Sequence, residues 1–107
     1  MAQRFNPQSV VITSAAATVT VIKNPSTTAF LYVWEFVLVC GGATNLTLNN
    51  AWVGGVSPIT GAMAMLANGS IMRQDNNNPW YTIDPGASFT ITNSGSVQLS
   101  GSCKYSN

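Results

Sequence analysis

The sequence predicts an all-β protein: one sandwich or barrel of eight or nine short strands. Three observations predict it. No window carries the 3.6-residue apolar stripe of an amphipathic helix, whereas period-two alternation and runs of Val, Ile and Thr recur. Turn signals built on Gly, Pro and Asn return roughly every eight to twelve residues. The segments do not repeat one another closely, which argues against propellers and solenoids.

The elements follow in order. "SVVITS" (9–14) and "ATVTVIK" (17–23) are rich in β-branched residues, and the turn "NPST" (24–27) follows. "AFLYVWEFVLVC" (29–40) is apolar on both faces. Strict alternation puts Phe30, Tyr32, Trp34, Phe36 and Leu38 on one face, and Leu31, Val33, Val37 and Val39 with Glu35 on the other. Such a strand is expected to be central in its sheet and covered on both sides, with the opposite sheet as one candidate cover and a neighbouring subunit as the other. "GGAT" (41–44) turns into the strand "NLTLNNAWV" (45–53), and "GGVSPITG" (54–61) reads as a longer loop. In "AMAMLA" (62–67) Met63 and Met65 alternate with alanines, and the Asn-Gly of "NGS" (68–70) predicts a hairpin into "IMR" (71–73). The polar stretch "QDNNNP" leads to "WYTI" (80–83), and "DPG" (84–86) is a tight turn. "ASFTITN" (87–93) alternates with Phe89 and Ile91 inward. After "SGS", the strand "VQLSGSCKY" (97–105) puts Val97, Leu99, Gly101, Cys103 and Tyr105 on one face.

The 107 residues suffice for a single domain: residues 1–8 as an N-terminal arm and 9–107 as the sandwich. The chain is 46% hydrophobic and only 7% charged, against about a quarter charged in an ordinary domain. Its surface must therefore be Ser, Thr, Asn, Gln and Gly. Copies with such a surface repel weakly, and burial in an assembly tolerates that. Net charge is +1, and Arg4, Lys23, Arg73 and Lys104 are scattered in sequence, so nothing builds a phosphate-binding patch and no nucleic-acid partner is expected. No apolar run reaches membrane-span length; the longest, 29–40, is interrupted by Glu35. "MAQRFNPQS" has no apolar stretch after Arg4, so it does not read as a signal peptide, and synthesis in a cytoplasm is the expectation.

Catalytic chemistry finds little support. The chain has no His, and general acid–base work would fall to Glu35, Asp75 or Asp84. Asp84 reads as a turn residue, Asp75 as a solvated loop carboxylate, and Glu35 as a salt-bridged or edge-exposed group on an apolar strand. No pair of carboxylates is placed for glycoside hydrolysis, and the many hydroxyls lack a base. "QDNNN" offers one carboxylate where calcium loops use several. No metal, cofactor or catalytic residue is predicted. Cys40 and Cys103 fit no zinc pattern. They read as buried small hydrophobes, with a disulfide as the alternative.

The apolar surplus points instead to surfaces. Three Trp, four Phe and four Met are many for a sandwich this small. Trp52, Trp80 and Tyr81 are either core or interface, where aromatics and Met are enriched. Pro79 stiffens the approach to Trp80 and Tyr81, which alternation sends to opposite sides, one to the core and one outward as an anchor. Arg73 opens the same stretch, "MRQDNNNPWYTI". In the arm, Phe5 is either part of a frayed end or an anchor docking on a neighbour.

"GATNLTL" (42–48), "TGAMAMLANGSI" (60–71) and "PWYTIDPGASFTITNSGSVQLSGSCKY" (79–105) together resemble a family of short virion proteins of tailed bacteriophages. The likeness lies in turn and strand punctuation and spans about residues 30–105. It implies a small jelly-roll-like antiparallel β-sandwich of about eight short strands. It further implies a head decoration or cement protein, which binds the major capsid protein at the capsid surface as a homo-oligomer, dimer or trimer. Small or aliphatic residues are usual in that family where Cys40 and Cys103 stand, which implies inward side chains. A tail or adhesin module recognising host-surface glycan, with sugars stacked on Trp52, Trp80 or Tyr81, is the competing expectation.

Overall fold

Short strands that are apolar on one side must bury that side against another layer, and here two sheets do so face to face. The computed structural model describes residues 7–107. Its ten strands are β1 (Gln8–Ser14), β2 (Thr18–Lys23), β3 (Leu31–Cys40), β4 (Thr44–Trp52), β5 (Gly55–Pro58), β6 (Met63–Met65), β7 (Ser70–Arg73), β8 (Tyr81–Ile83), β9 (Ser88–Asn93) and β10 (Leu99–Ser106). The first sheet runs β1-β10-β3, with β7 and β8 pairing different stretches of β3 on its far side. The second runs β2-β9-β4, with β5 and β6 sharing β4 in the same way. Every pairing is antiparallel. The ten strands thus fill eight lanes, and the chain changes sheet at each step between lanes except from β4 to β5. That is a jelly roll.

Three details differ from the sequence expectation. Residues 55–58, expected as loop, form β5, because Val53 and Gly54 close a short hairpin that lays Gly55 beside Trp52. The Asn-Gly pair at 68–69 does not close a hairpin: β6 pairs β4 and β7 pairs β3, so this turn crosses between sheets. Asn68 takes the left-handed conformation (φ 65°) that Asn tolerates, and the crossing is tied to β3 by Asn68 N–H to Cys40 O and Cys40 N–H to Gly69 O. The first strand includes Gln8, which stands opposite Tyr105. Phe5 and the rest of the arm before Pro7 lie outside the described residues.

The third difference is in β3. Its register against β10 slips between Lys104 and Tyr105, which face Glu35 and Val33 and leave Trp34 as an extra residue. The slip reverses the parity of the strand. Leu31 and Val33 point inward before it; Phe36, Leu38 and Cys40 point inward after it. Trp34 is fully buried yet stands apart from the main core. Its ring lies 6.3 Å from that of Tyr32, and its indole N–H donates to Ser106 Oγ at 2.7 Å.

Leu46, Leu48, Phe89 and Ile91 of the second sheet meet Leu31, Val33, Phe36, Leu38 and Leu99 of the first, all inaccessible or nearly so. Burying each such side chain stabilises the fold by about 1.5–3 kcal/mol. Phe36 packs on Phe89 at 5.5 Å and on Tyr81 at 6.3 Å, edge to face. At the centre of the first sheet, Gly101 lets β10 approach β3 closely: a Cβ there would run into the carbonyl oxygen of Val37 and stand 3.0 Å from Leu38 Cα. Cys40 and Cys103 are buried and unbonded. They face Leu99 and Phe36 in register, so four residues of strand, about 13 Å, separate them. That distance rules out the disulfide. Among the described residues no helix is long and apolar enough to cross a membrane.

Two buried asparagines close the ends. Asn93 accepts from Thr44 Oγ1 (2.8 Å) and donates to Val97 O (2.8 Å) and Ala16 O (3.2 Å). Asn24 donates to Ala29 O, Ile83 O and Asp84 O and accepts from Ser26 N–H. Each side chain satisfies loop carbonyls that the sheet ladders leave over.

Candidate interaction surfaces

Alternation assigns the outer face of the first sheet once the core side is fixed. Val11, Ser102, Val37 and Met72 lie in register across β1, β10, β3 and β7. The next row is Thr13, Ser100, Val39 and Ser70. Val11 is 76% exposed and Met72 55%, with Val39 open and Val37 half-buried. Between these apolar side chains stand serines, so the face is almost without charge. Its charged corner holds Glu35 opposite Lys104 in register, with Lys104 Nζ 3.5 Å from Asp75 Oδ2.

The asparagine-rich connection between β7 and β8 borders this face and is folded on itself. Asn77 N–H donates to Asp75 Oδ1 and Asn78 N–H to Asn76 Oδ1, two Asx turns, with Asn77 in the left-handed region (φ 69°). Trp80 closes the loop: its indole N–H donates to Gln74 O at 2.7 Å and its backbone N–H to Val33 O. The Arg73 guanidinium lies 5.6 Å from the Trp80 ring centroid, a cation–π contact. Trp80 keeps 40% of its surface exposed, while Tyr81 turns inward onto Phe36 and Phe89.

The outer face of the second sheet has a different chemistry. Its rows read Thr18, Thr92, Thr47 and Thr20, Thr90, Asn49. Asn49 donates to Thr92 Oγ1 and Thr47 O, a polar cross-link within this face. At one end the β4–β5 hairpin raises Trp52, 39% exposed, beside an open groove of about 320 Å³ that Thr20, Lys23, Ser88 and Thr90 help to line.

The structure therefore separates the residues singled out in the sequence. Arg73 and Trp80 stand together at the β7–β8 connection, with Arg73 in register with inward Phe36; Trp52 belongs to the second sheet; Tyr81 packs on the core. Val11 was not singled out, though its signal was present: of two adjacent apolar residues in a strand, Val10 and Val11, only one can face the core.

No group of three or more His, Cys, Asp or Glu side chains that could hold a metal ion occurs among the described residues. Asp75 is engaged by Asn77 and Lys104, and Asp84 sits in the turn closed by Ala87 N–H to Asp84 O. Burial pushes the Cys103 thiol up to about 12 and raises that of Cys40, so both are held as neutral thiols. No protein-family profile matches the chain, and no curated protein is detectably similar to it.

Proposed function

We propose that this protein is a structural virion component of a tailed phage: a decoration or cement protein that binds the capsid exterior and stabilises the head. The observation that carries the reading is the contrast between its two outer faces. One is nearly uncharged and studded with exposed Val11, Val39, Met72 and Trp80; the other is mostly a ladder of Thr and Asn, with its exposed apolar side chains, Trp52, Val53 and Val56, confined to the β4–β5 hairpin at its edge. A face of the first kind gains free energy by being covered, at about 25 cal/mol per Å² of apolar surface. A face of the second kind loses nothing by staying in water. The low charge and the sequence resemblance to phage virion proteins support the same reading. Attachment to a repeating shell multiplies weak contacts. The test mixes the purified chain with heads that lack it. It should co-sediment with assembled heads, bind free coat protein weakly and raise the temperature at which heads release DNA. Val39→Lys combined with Met72→Lys should abolish co-sedimentation without unfolding the chain. Co-sedimentation unchanged in that variant, or heads equally heat-resistant with and without the protein, would sink the proposal.

The groove beside Trp52 favours a second reading, recognition of host-surface glycan, because an exposed indole beside three hydroxyls and an ammonium suits a sugar's apolar and polar faces. Binding on a glycan array that Trp52→Ala removes would select it, and a blank array would reject it.

A further inference from the structure

The sheet edges are not equally protected. An edge strand exposes unpaired N–H and C=O groups, and proteins blunt such edges with Lys or Arg, Pro, bulges or very short strands. Here β2 ends in Lys23 and has a register slip after Thr20; β5 ends in Pro58 and β7 in Arg73; β6 and β8 have three residues each. β1 has none of these devices. It is a regular seven-residue strand, "QSVVITS", without charge or proline, and among the described residues it pairs with β10 alone.

Its sequence is also self-complementary. Placed antiparallel to a copy of itself about Val11, it sets Val10 opposite Ile12, Ser9 opposite Thr13 and Gln8 opposite Ser14. Small polar residues meet small polar residues, and aliphatics meet aliphatics. Because the side-chain period is two, Val10 and Ile12 of both copies stay on the core side and Val11 of both stays outside. Beneath the free edge, between β1 and β2, lies an open cleft of about 210 Å³, lined in part by Val10, Ile12, Val19 and Val21. A second copy's Val10 and Ile12 would roof it.

We infer that two copies of this chain pair antiparallel through β1 about a two-fold axis at Val11, joining their first sheets into one. The inference goes beyond the capsid reading and needs no capsid: it stands on the edge alone. Pairing of this kind is isologous and closes at two copies. It also joins the two outer faces, running the row Met72, Val37, Ser102, Val11 into its symmetry mate. The docking surface of the proposed function would double.

Analytical ultracentrifugation of the purified chain should show a dimer. Val11→Lys places two ammonium groups directly opposite each other, and the dimer should weaken roughly tenfold or more. Val11 is largely exposed in the single chain, so that variant should keep its fold, which circular dichroism checks. Cysteine placement tests the register. Val11→Cys should form a disulfide-linked dimer on mild oxidation, because opposed Cα atoms in such a pair stand about 4.5–5.5 Å apart. Thr13→Cys alone should not crosslink, but should do so when mixed with Ser9→Cys. The buried Cys40 and Cys103 do not compete. A monomer at every concentration, a trimer, a dimer indifferent to Val11→Lys, or Thr13→Cys crosslinking alone as readily as Val11→Cys would each overturn the inference. Failure to bind heads, by contrast, would overturn only the capsid reading.

Discussion

Replacing Asn93 by Ala should remove most of this protein's margin of stability, although no large apolar side chain is lost. Asn93 is fully buried and makes three side-chain hydrogen bonds: from Thr44 Oγ1, to Ala16 O and to Val97 O. Alanine leaves the buried Thr44 hydroxyl and two part-buried carbonyls without these partners. A buried polar group stripped of its partner costs about 1–3 kcal/mol. Taking the lower half of that range for each gives about 4 kcal/mol. Unfolding entropy is about 2.1 cal/mol/K per residue, so a chain this long should melt roughly 18 °C lower. The assay is thermal and urea unfolding followed by circular dichroism, with identical slopes in urea required before the two stabilities are compared. Thr44→Val is the partner variant. The Thr44 hydroxyl also accepts Gly95 N–H at 2.9 Å, so this change should cost about 2 kcal/mol alone and combine less than additively with Asn93→Ala. A loss below about 1 kcal/mol for Asn93→Ala, or strict additivity with Thr44→Val, would refute the claim that this side chain ties the end of the sandwich.

Other expectations are simpler to state. Gly101→Ala should cost about 3 kcal/mol or more or prevent folding, because its Cβ meets the Val37 carbonyl at the centre of a sheet; a melt within a few degrees of the parent would contradict this. Ser106→Ala leaves the Trp34 indole N–H without its 2.7 Å acceptor and should cost about 1–3 kcal/mol, read by urea unfolding. The Cys103 thiol titrates near 12 when folded and near 9 when unfolded, so the unfolded chain loses its proton first as pH rises. Its contribution is therefore intact below pH 9 and is lost between 9 and 12, at up to about 1.4 kcal/mol per pH unit. Cys103→Ala should flatten the alkaline fall of stability, and an unchanged slope would reject the assignment. In the native protein both thiols should resist a thiol reagent until the chain is unfolded.

The fold was largely legible because period-two alternation survives in most strands. Phe89 and Ile91 in β9, and Leu99 and Cys103 in β10, face the core as alternation requires. Legibility failed where one residue breaks the count. At β3 the extra residue Trp34 reverses the inward face, and nothing local in "LYVWEFVLVC" marks the slip, since both parities are apolar. The Asn-Gly pair was read as a hairpin turn, but only Asn68 takes a positive φ and Gly69 does not, and a turn's conformation does not say which sheet the next strand joins. That choice is made by long-range pairing of β7 with Leu38 and its neighbours. The candidate surface was only partly legible for a related reason. Trp52 and Trp80 stand out by size, but their separation into two sheets depends on topology, and Val11 stands out only once β1 is known to be an edge.

The residues that carry the sequence resemblance acquire a physical explanation from this topology. Thr44, in the "GATN" turn, donates to Asn93 of the "TNSGS" turn, and Gly95 of that turn donates back to Thr44 Oγ1. A Cβ on Gly95 would lie 2.8 Å from Ala43 O, so the two turns fit only with glycine there. Asn24 gathers the carbonyls at the start of the Asp84–Gly86 turn, where Gly86 takes φ 75°. Gly101, in the "SGSCKY" ending, allows the close approach of β10 to β3. Gly101 sets the close pairing within the first sheet and the other positions hold crossings between sheets; none of them lies in the exposed apolar row. The punctuation therefore specifies a framework, and the same framework can carry any outer face. What this chain adds to it, Val11 on an unguarded edge and Val39 and Met72 on the outer face, costs solubility and contributes little to closing the sandwich. Side chains of that kind are stabilising only when something covers them. For that reason the variants that should separate function from fold are those on this face, and the motif positions should affect both together.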